Sequence, residues 1–333
     1  MRGRPAVAFI AWSRVAGRSS EIAESLGGEA SCIYPGPCTT SRTAPLRYAV
    51  SSLLTALYLL RRRPRAVIAT NPPVFPGLLA LAYGAIARVP VALDSHPSAF
   101  GAKDDRVSAR LLPVHRWMAR RSVAVLVTTR QWAEMVDGWG GNGIIVHEAP
   151  DESLLSLGQP RGQDRPCVLF VATFANDEPI DSVVEAARQL GSIDVLITGD
   201  VRRASPEILD DVPSNVTFVG YLPFARYVQL LEKADVVVSL TTEPTSIMRA
   251  AYEAVYAGRP LVISDWPELR PLFPAAVFVA NDAVAIAHGI AHAVAERDEL
   301  LAAAPAVRAT QLRRWERQRR ALAETLSLTE PTT

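Results

Sequence analysis

Arg249 and Glu253, four residues apart, are the pair in this 333-residue chain with the most chemistry to offer. They fall in the segment Ser239 to Asp265, which reads as a strand, a Thr/Ser-rich turn, a helix starting near Thr245 and capped by Gly258, and a further strand. A spacing of four puts both side chains on one helix face. An arginine fork suits diphosphate oxygens, and a carboxylate accepts hydrogen bonds from a ribose diol. Thr245 and Ser246, at the expected helix start, would turn free N–H groups and the positive dipole end toward a phosphate. The competing reading is that Arg249 and Glu253 only pair with each other on a solvated helix.

His96 follows an apolar strand in Asp94-Ser-His-Pro97, where an imidazole either serves the structure or works at a site. The turn Ser13 to Arg18 after the first strand carries Arg14, Gly17 and Arg18, a place where backbone can approach a donor or acceptor, or an ordinary βα turn. His288 and His292 stand four apart without the glutamate of H-E-x-x-H or a third ligand, and Asp104-Asp105 lacks D-x-D spacing, so no metal is expected. No strand is followed by G-x-G-x-x-G, which disfavours a nicotinamide dehydrogenase.

These residues must be positioned by an α/β framework, because short apolar strands alternate with helical patterns along the whole chain. The first set comprises strands near 6–12, 31–34, 66–70, 90–93, 123–128 and 144–147, with helices between them that include Pro45 to Arg63 and a Pro113-interrupted Val107 to Arg121. From Asp151 to Pro166 the pattern lapses into polar residues, Gly and Pro, and a second set begins at Val168 to Phe174. The expected division is residues 1–150 as an N-terminal domain, 151–166 as a linker, 167–309 as a C-terminal domain and 310–333 as a final helical segment. Continuously apolar short strands predict parallel sheets covered on both faces, hence two doubly wound, Rossmann-like domains whose ligand-binding ends face a cleft.

Composition narrows the partners. With 49% apolar residues and 35 basic against 34 acidic side chains, the chain is neither a disordered polyelectrolyte nor a uniformly basic nucleic-acid binder. The charge is divided: residues 1–150 carry 18 basic and 9 acidic side chains, the remainder 17 and 25. Much of the N-terminal excess lies in Arg47 to Arg65, an apolar helix (Leu53, Leu54, Leu57, Leu60) ending in Arg61-Arg62-Arg63-Pro-Arg65. Such a helix either rests on anionic lipid or steers a lipid-phosphate acceptor, or is a buried Rossmann helix whose C-terminal cations suit its dipole. Cys32, Cys38 and Cys167 form no C-x-x-C pair, and no apolar run reaches the length needed to span a bilayer, so the expected location is the cytoplasm, with the inner membrane face as a possible peripheral station.

The segment around Arg249 and Glu253, continued by Gly258-Arg259-Pro260-Leu-Val-Ile-Ser-Asp265, resembles the donor-nucleotide region of family 4-like glycosyltransferases of the GT-B fold. Val168 to Phe174 with Asp177-Glu178-Pro179 is similar to the loop that opens that family's C-terminal domain. Asn215 to Leu222 is similar to its nucleobase loop, which places Gly220, Tyr221 and Leu222 at the donor, while Asn71-Pro-Pro-Val-Phe75 and Leu93-Asp-Ser-His96 resemble its acceptor-domain loops. The resemblance implies transfer of a sugar from a nucleoside diphosphate sugar to a lipid-linked, saccharide or small polyol acceptor, with retention and without a cofactor or metal. It further implies that Glu253 is the second, ribose-binding glutamate of E-x7-E and that His96 lies near the donor phosphate and transferred sugar. The final helix would cross back to the N-terminal domain. Two departures stand out: the first glutamate falls at Thr245, with Glu243 two residues earlier, and Asn176-Asp-Glu178 replaces a basic pair, leaving Arg249 as the nearest phosphate partner. A nucleoside diphosphate sugar epimerase, with Asp94 and Glu243 as acid and base, and a non-catalytic nucleotide-sugar binder are the alternatives on the same fold.

Overall fold

A computed structural model describes residues 4–14, 17–36, 43–101, 106–160 and 164–328. Cys38 and the Asp104-Asp105 pair lie outside them. The chain forms two compact units, one of residues 1–149 with 315–333 and one of residues 150–314.

The first unit is built on β1 (Val7–Ala11), β2 (Glu29–Cys32), β3 (Ala66–Asn71), β4 (Val91–Ser95), β5 (Ala124–Val127) and β6 (Gly143–Ile145). They form one all-parallel sheet in the order β2-β1-β3-β4-β5-β6. Alternate residues divide between two cores. Ala8, Ile10, Val67, Leu93 and Val125 face α3 (Val74–Ala87), α4 (Arg106–Arg121) and α5 (Arg130–Gly138), while Phe9, Ile68 and Leu126 face α1 (Gly17–Ser25) and the end of the last helix. Continuous apolarity in the strands follows from this two-sided burial.

The second unit holds β7 (Cys167–Phe170), β8 (Asp194–Thr198), β9 (Val216–Gly220), β10 (Val236–Ser239), β11 (Leu261–Ser264) and β12 (Val277–Val279), also all parallel, in the order β12-β11-β10-β7-β8-β9. One face packs on α7 (Ile180–Arg188) and α11 (Ala283–Ala295), the other on α9 (Phe224–Lys233) and α10 (Arg249–Ala257). Both sheets are the doubly wound α/β layers the sequence predicts.

Several boundaries differ from expectation. Residues 151–166 are not simply a linker: Asp151 accepts from the Ser153 backbone N–H at 2.8 Å to cap α6 (Glu152–Leu155), and Leu154 is buried in the second unit's core. The last helix, α12 (Arg297–Thr325), starts well before residue 310 and passes the division between units: Val307 and Leu312 pack in the second, Trp315, Leu322 and Leu326 in the first. Beyond Phe170, where strand β7 ends, the Thr198 hydroxyl accepts from the N–H of Ala172 and donates to its carbonyl, both at 2.9 Å, and Phe174 turns the chain with φ +61°.

Of the two readings of the arginine-rich helix, the buried one holds for one face only. Helix α2 (Ala44–Arg62) begins with Pro45 in its first turn and ends at Arg63, which adopts a left-handed conformation before Pro64. Its inward face is Ser51, Thr55 and Leu59, with Thr55 accepting from Trp12 Nε1 at 3.0 Å, whereas Leu46, Leu53 and Leu60 are 60–70% exposed.

Candidate functional site

In the second unit the C-terminal ends of β7, β10 and β11 carry a polar network centred on Thr241. Its backbone N–H donates to Ser264 Oγ at 2.9 Å, and its hydroxyl lies 3.1 Å from Asp177 Oδ2 and accepts from the Glu243 N–H at 3.1 Å. Its carbonyl accepts from Trp266 Nε1 at 2.8 Å and from Asn281 Nδ2 at 2.9 Å, while Ser264 donates to Asn281 Oδ1 at 2.7 Å. The Thr242 N–H is taken by the Asp177 carbonyl at 2.7 Å. The turn is therefore fixed on both sides before it reaches the helix.

This tethering relocates the helix start. With the Thr242 and Glu243 N–H groups used in the turn and Pro244 unable to donate, α10 begins at Arg249, with Met248 extended (φ −76°, ψ 135°) as its cap residue. Thr245 and Ser246 stand in the preceding loop, where the Ser246 N–H donates to the Glu243 carbonyl at 3.1 Å, so they are not the helix N-terminus. The dipole end belongs to Met248 and Arg249. Glu243 is half-buried in the same loop.

Arg249 and Glu253 do pair, Nε to Oε1 at 2.6 Å, but not on a solvated face: Glu253 is 7% exposed, in a helix buried at every position after Arg249. Its second oxygen accepts from the Tyr227 hydroxyl of α9 at 2.7 Å. Burial, and then the facing Glu253 carboxylate, hold the Tyr227 phenol well above its usual pKa, so it stays a donor across the physiological range. A carboxylate oxygen can accept more than one hydrogen bond, which leaves Glu253 acceptor capacity for a diol.

The loop after β7 has no basic residue, and Glu178 turns its carboxylate back onto it, accepting from the N–H groups of Thr173 at 2.8 Å and Ala175 at 2.9 Å. A guanidinium reaches this loop from elsewhere: Arg203, in the 3-10 turn Val201–Arg203 after β8, donates to the Thr173 carbonyl at 3.3 Å. Gly199, which precedes that turn, has φ +109°, and a Cβ there would lie 2.7 Å from the Ala172 carbonyl oxygen, so only glycine fits. At the end of β9, Gly220 (φ +78°) accepts from the Gly199 N–H at 3.0 Å; Tyr221 is exposed and Leu222 half-buried.

In the first unit the expected contact residues divide. His96 is exposed at the end of β4, its N–H donating to the Asn71 carbonyl and its carbonyl accepting from the Ala99 N–H, each at 2.9 Å. Asn71 is buried, its amide donating to Ser95 Oγ at 3.0 Å to tie β3 to β4, while its Oδ1 has no hydrogen-bond partner among the described residues. Arg18, half-buried, and Asp94, buried, both expected as contacts, are partners of each other at 3.3 Å. Arg18 also donates to Glu148 Oε1 and the Val146 carbonyl, both at 2.8 Å, and two facing carboxylates offset its burial and keep it charged. Arg14 lies over the Tyr34 ring at 5.2 Å, and Gly17 opens α1. His288 and His292 are exposed on α11, and among the described residues no group of three or more His, Cys, Asp or Glu is placed to hold a metal ion.

The family description "Glycosyl transferase 4-like domain" matches residues 21–147, and "Glycosyl transferase-like" matches residues 181–326, so together they span most of both units. The chain is a family 4-like glycosyltransferase. Its GT-B fold is shared by sucrose-phosphate synthase from Thermosynechococcus elongatus (16% identity, TM-score 0.71, 96% of this chain and 97% of that one). It is shared also by Anabaena HepE, solved in complex with UDP and glucose (14% identity, TM-score 0.74, 97% and 99% coverage). A putative UDP-N-acetylglucosamine 2-epimerase from Listeria monocytogenes is more distant (10% identity, TM-score 0.58, 89% and 90%). Comparison with curated protein sequences gives no significant match. For a glycosyltransferase of this type the sequence points to Glu253 and Arg249, but not to Tyr227, Thr241, Ser264, Asn281 or Arg203. The signal available for Thr241, Ser264 and Asn281 is a polar residue closing or following an apolar strand. Tyr227 and Arg203 have no signal short of the fold.

Proposed function

We propose that this glycosyltransferase takes its sugar from a nucleoside diphosphate sugar held by the second unit and passes it, with retention, to a lipid-linked, saccharide or small polyol acceptor held by the first. The carrying observation is the buried Glu253 carboxylate, oriented by Tyr227 and Arg249 beside the tethered turn. A ribose diol donates hydrogen bonds to a fixed, desolvated anion, and such charge-assisted bonds are the strong ones. Arg249 and the first free N–H groups of α10 lie next to it and answer the charge that grows on a departing diphosphate. In the reaction the bond from the sugar's anomeric carbon to the phosphate oxygen breaks with its electron pair going to the departing diphosphate, a bond to the acceptor hydroxyl oxygen forms, and the hydroxyl proton passes to the departing phosphate oxygen. His96 is assigned to the reacting end of the donor, and Gly220, Tyr221 and Leu222 to the base.

A uridine base is the first to test, since Anabaena HepE, which shares this fold, is solved with UDP and with UDP-glucose. The epimerase alternative is weakened by Asp94, whose buried carboxylate is taken up by the Arg18 guanidinium at 3.3 Å. Calorimetric titration with UDP, GDP, ADP and TDP, followed by product analysis with the matching sugar, tests the proposal. Binding of one diphosphate that Glu253→Gln weakens is expected, with sugar appearing on an acceptor. Epimerised donor without any acceptor product, or unchanged affinity in the folded variant, refutes it.

A further inference from the structure

Helix α2 wears its apolar residues on the wrong side for a helix covering a sheet. At 100° per residue, Leu46, Val50, Leu53, Leu57 and Leu60 form one stripe, and every one is exposed; Ser51, Thr55 and Leu59, on the opposite side, are the buried positions. Exposed leucines scattered singly need no explanation, but five in register over 15 residues form a continuous apolar face.

The charge beside this face is one-signed. Between Glu29 and Asp94 the sequence has seven arginines and no acidic residue. The fold gathers five arginines at one edge: Arg61, Arg63 and Arg65 lie where α2 runs into β3, and Arg88 lies where α3 runs into β4. Val67 and Val91 are paired in the parallel register, which places those two entries side by side. Arg4 joins them by donating to the Arg63 and Pro64 carbonyls. All five are exposed. Arg62, the remaining basic residue of the turn, is held inward by Glu29 at 2.6 Å.

We infer that the outer face of α2 with this arginine edge is a docking surface for the anionic surface of a lipid bilayer, the leucines entering the headgroup boundary and the guanidiniums meeting lipid phosphates. An interfacial helix needs a large apolar face, flanking cations and no acidic residues on the contact side, and α2 has all three. No helix among the described residues is long and apolar enough to cross a membrane, so the attachment is peripheral and reversible. The occupant is chosen by charge complementarity: a second copy of the chain would bring five more arginines to a stretch, residues 30–93, that has no acidic residue to receive them.

The test is cosedimentation of the full-length protein with vesicles of phosphatidylcholine alone or with about 30% phosphatidylglycerol. Binding to the anionic vesicles, weak binding to neutral ones and release by salt are expected. Leu53→Gln with Leu57→Gln and Leu60→Gln, all at exposed sites and with similar helix propensity, should lower the partition at least about tenfold. Arg61→Gln and Arg63→Gln should each lower it about fivefold on anionic vesicles only. Retained nucleotide-dependent thermal stabilisation certifies the fold of each variant. No binding to anionic vesicles, equal binding to both kinds, or a concentration-dependent dimer in sedimentation velocity that the leucine substitutions abolish without any vesicle binding overturns the inference.

Discussion

At the scale of single residues the site depends on one buried carboxylate with two donors already on it. Glu253→Gln keeps the volume and an acceptor for Tyr227 but removes the charge. Nucleoside diphosphate affinity should fall about 10- to 100-fold by calorimetry, with less than about 2 kcal/mol lost in urea unfolding. Glu253→Ala is the poorer probe, because it strands the Tyr227 hydroxyl in the core. Arg249→Lys exchanges a fork for a point charge, so it should weaken the nucleoside diphosphate while leaving the free nucleoside unchanged; equal losses for both would remove Arg249 from the phosphate. Tyr227 also sets a pH dependence. Its raised folded pKa means that above about pH 10 the unfolded chain gives up the phenolic proton while the folded one keeps it. Stability is then flat below that pH and falls above it by up to about 1.4 kcal/mol per unit for this group. Tyr58, raised by burial and by Glu29, acts in the same direction, so the measurement is the difference in slope between wild type and Tyr227→Phe in urea titrations from pH 8 to 11. The variant should be the flatter.

At the scale of elements, what was legible in the sequence is what local pattern controls. Apolar runs such as Val7 to Ala11 and Val236 to Val238 announce parallel strands because both faces are covered, and Gly258 ends α10 as a left-handed cap (φ +66°). The start of α10 was not legible. A run of Thr, Ser and Glu is compatible with a helix N-terminus, and only the distant partners Asp177, Ser264 and Asn281 convert it into a tethered loop. The orientation of α2 escaped for a related reason: its periodicity defines an apolar stripe and cannot say whether that stripe meets the sheet or solvent. Thr55 decides it by receiving the Trp12 indole N–H, so Thr55→Val, close in size, should cost about 1 to 3 kcal/mol in urea unfolding through the stranded donor. Gly199→Ala should cost more than about 1 kcal/mol, since it combines a positive φ with a Cβ placed against the Ala172 carbonyl oxygen.

At the scale of the whole molecule, the chain divides twice, between Ala149 and Pro150 beside the segment where the sequence pattern lapses, and again within helix α12. Residues 150–314 contain the complete second sheet, α6 and the first part of α12 with Val307 and Leu312, and so keep Glu253, Arg249, the tethered turn and the unit's two supporting cores. Trp315, Leu322, Ala323 and Leu326 belong to the first unit's core, on the face of its sheet that also buries Phe9, Ile68 and Leu126. A fragment running from 160 to the C-terminus would lack α6 and its buried Leu154, and would leave those four apolar side chains without a core. The fragment 150–314 carries neither defect. It should fold, unfold in a single urea transition, and bind the nucleoside diphosphate within about threefold of the full chain while transferring no sugar, because His96 and the whole first sheet are gone. The complementary truncation after Arg314 in the full chain should do the opposite: loss of three large buried side chains, Trp315, Leu322 and Leu326, from the first unit destabilises that unit by at least about 4 kcal/mol, leaving nucleotide binding intact and acceptor use abolished. A folded 150–314 fragment that binds no nucleotide bound by the full chain would show that the donor site is not contained in the second unit.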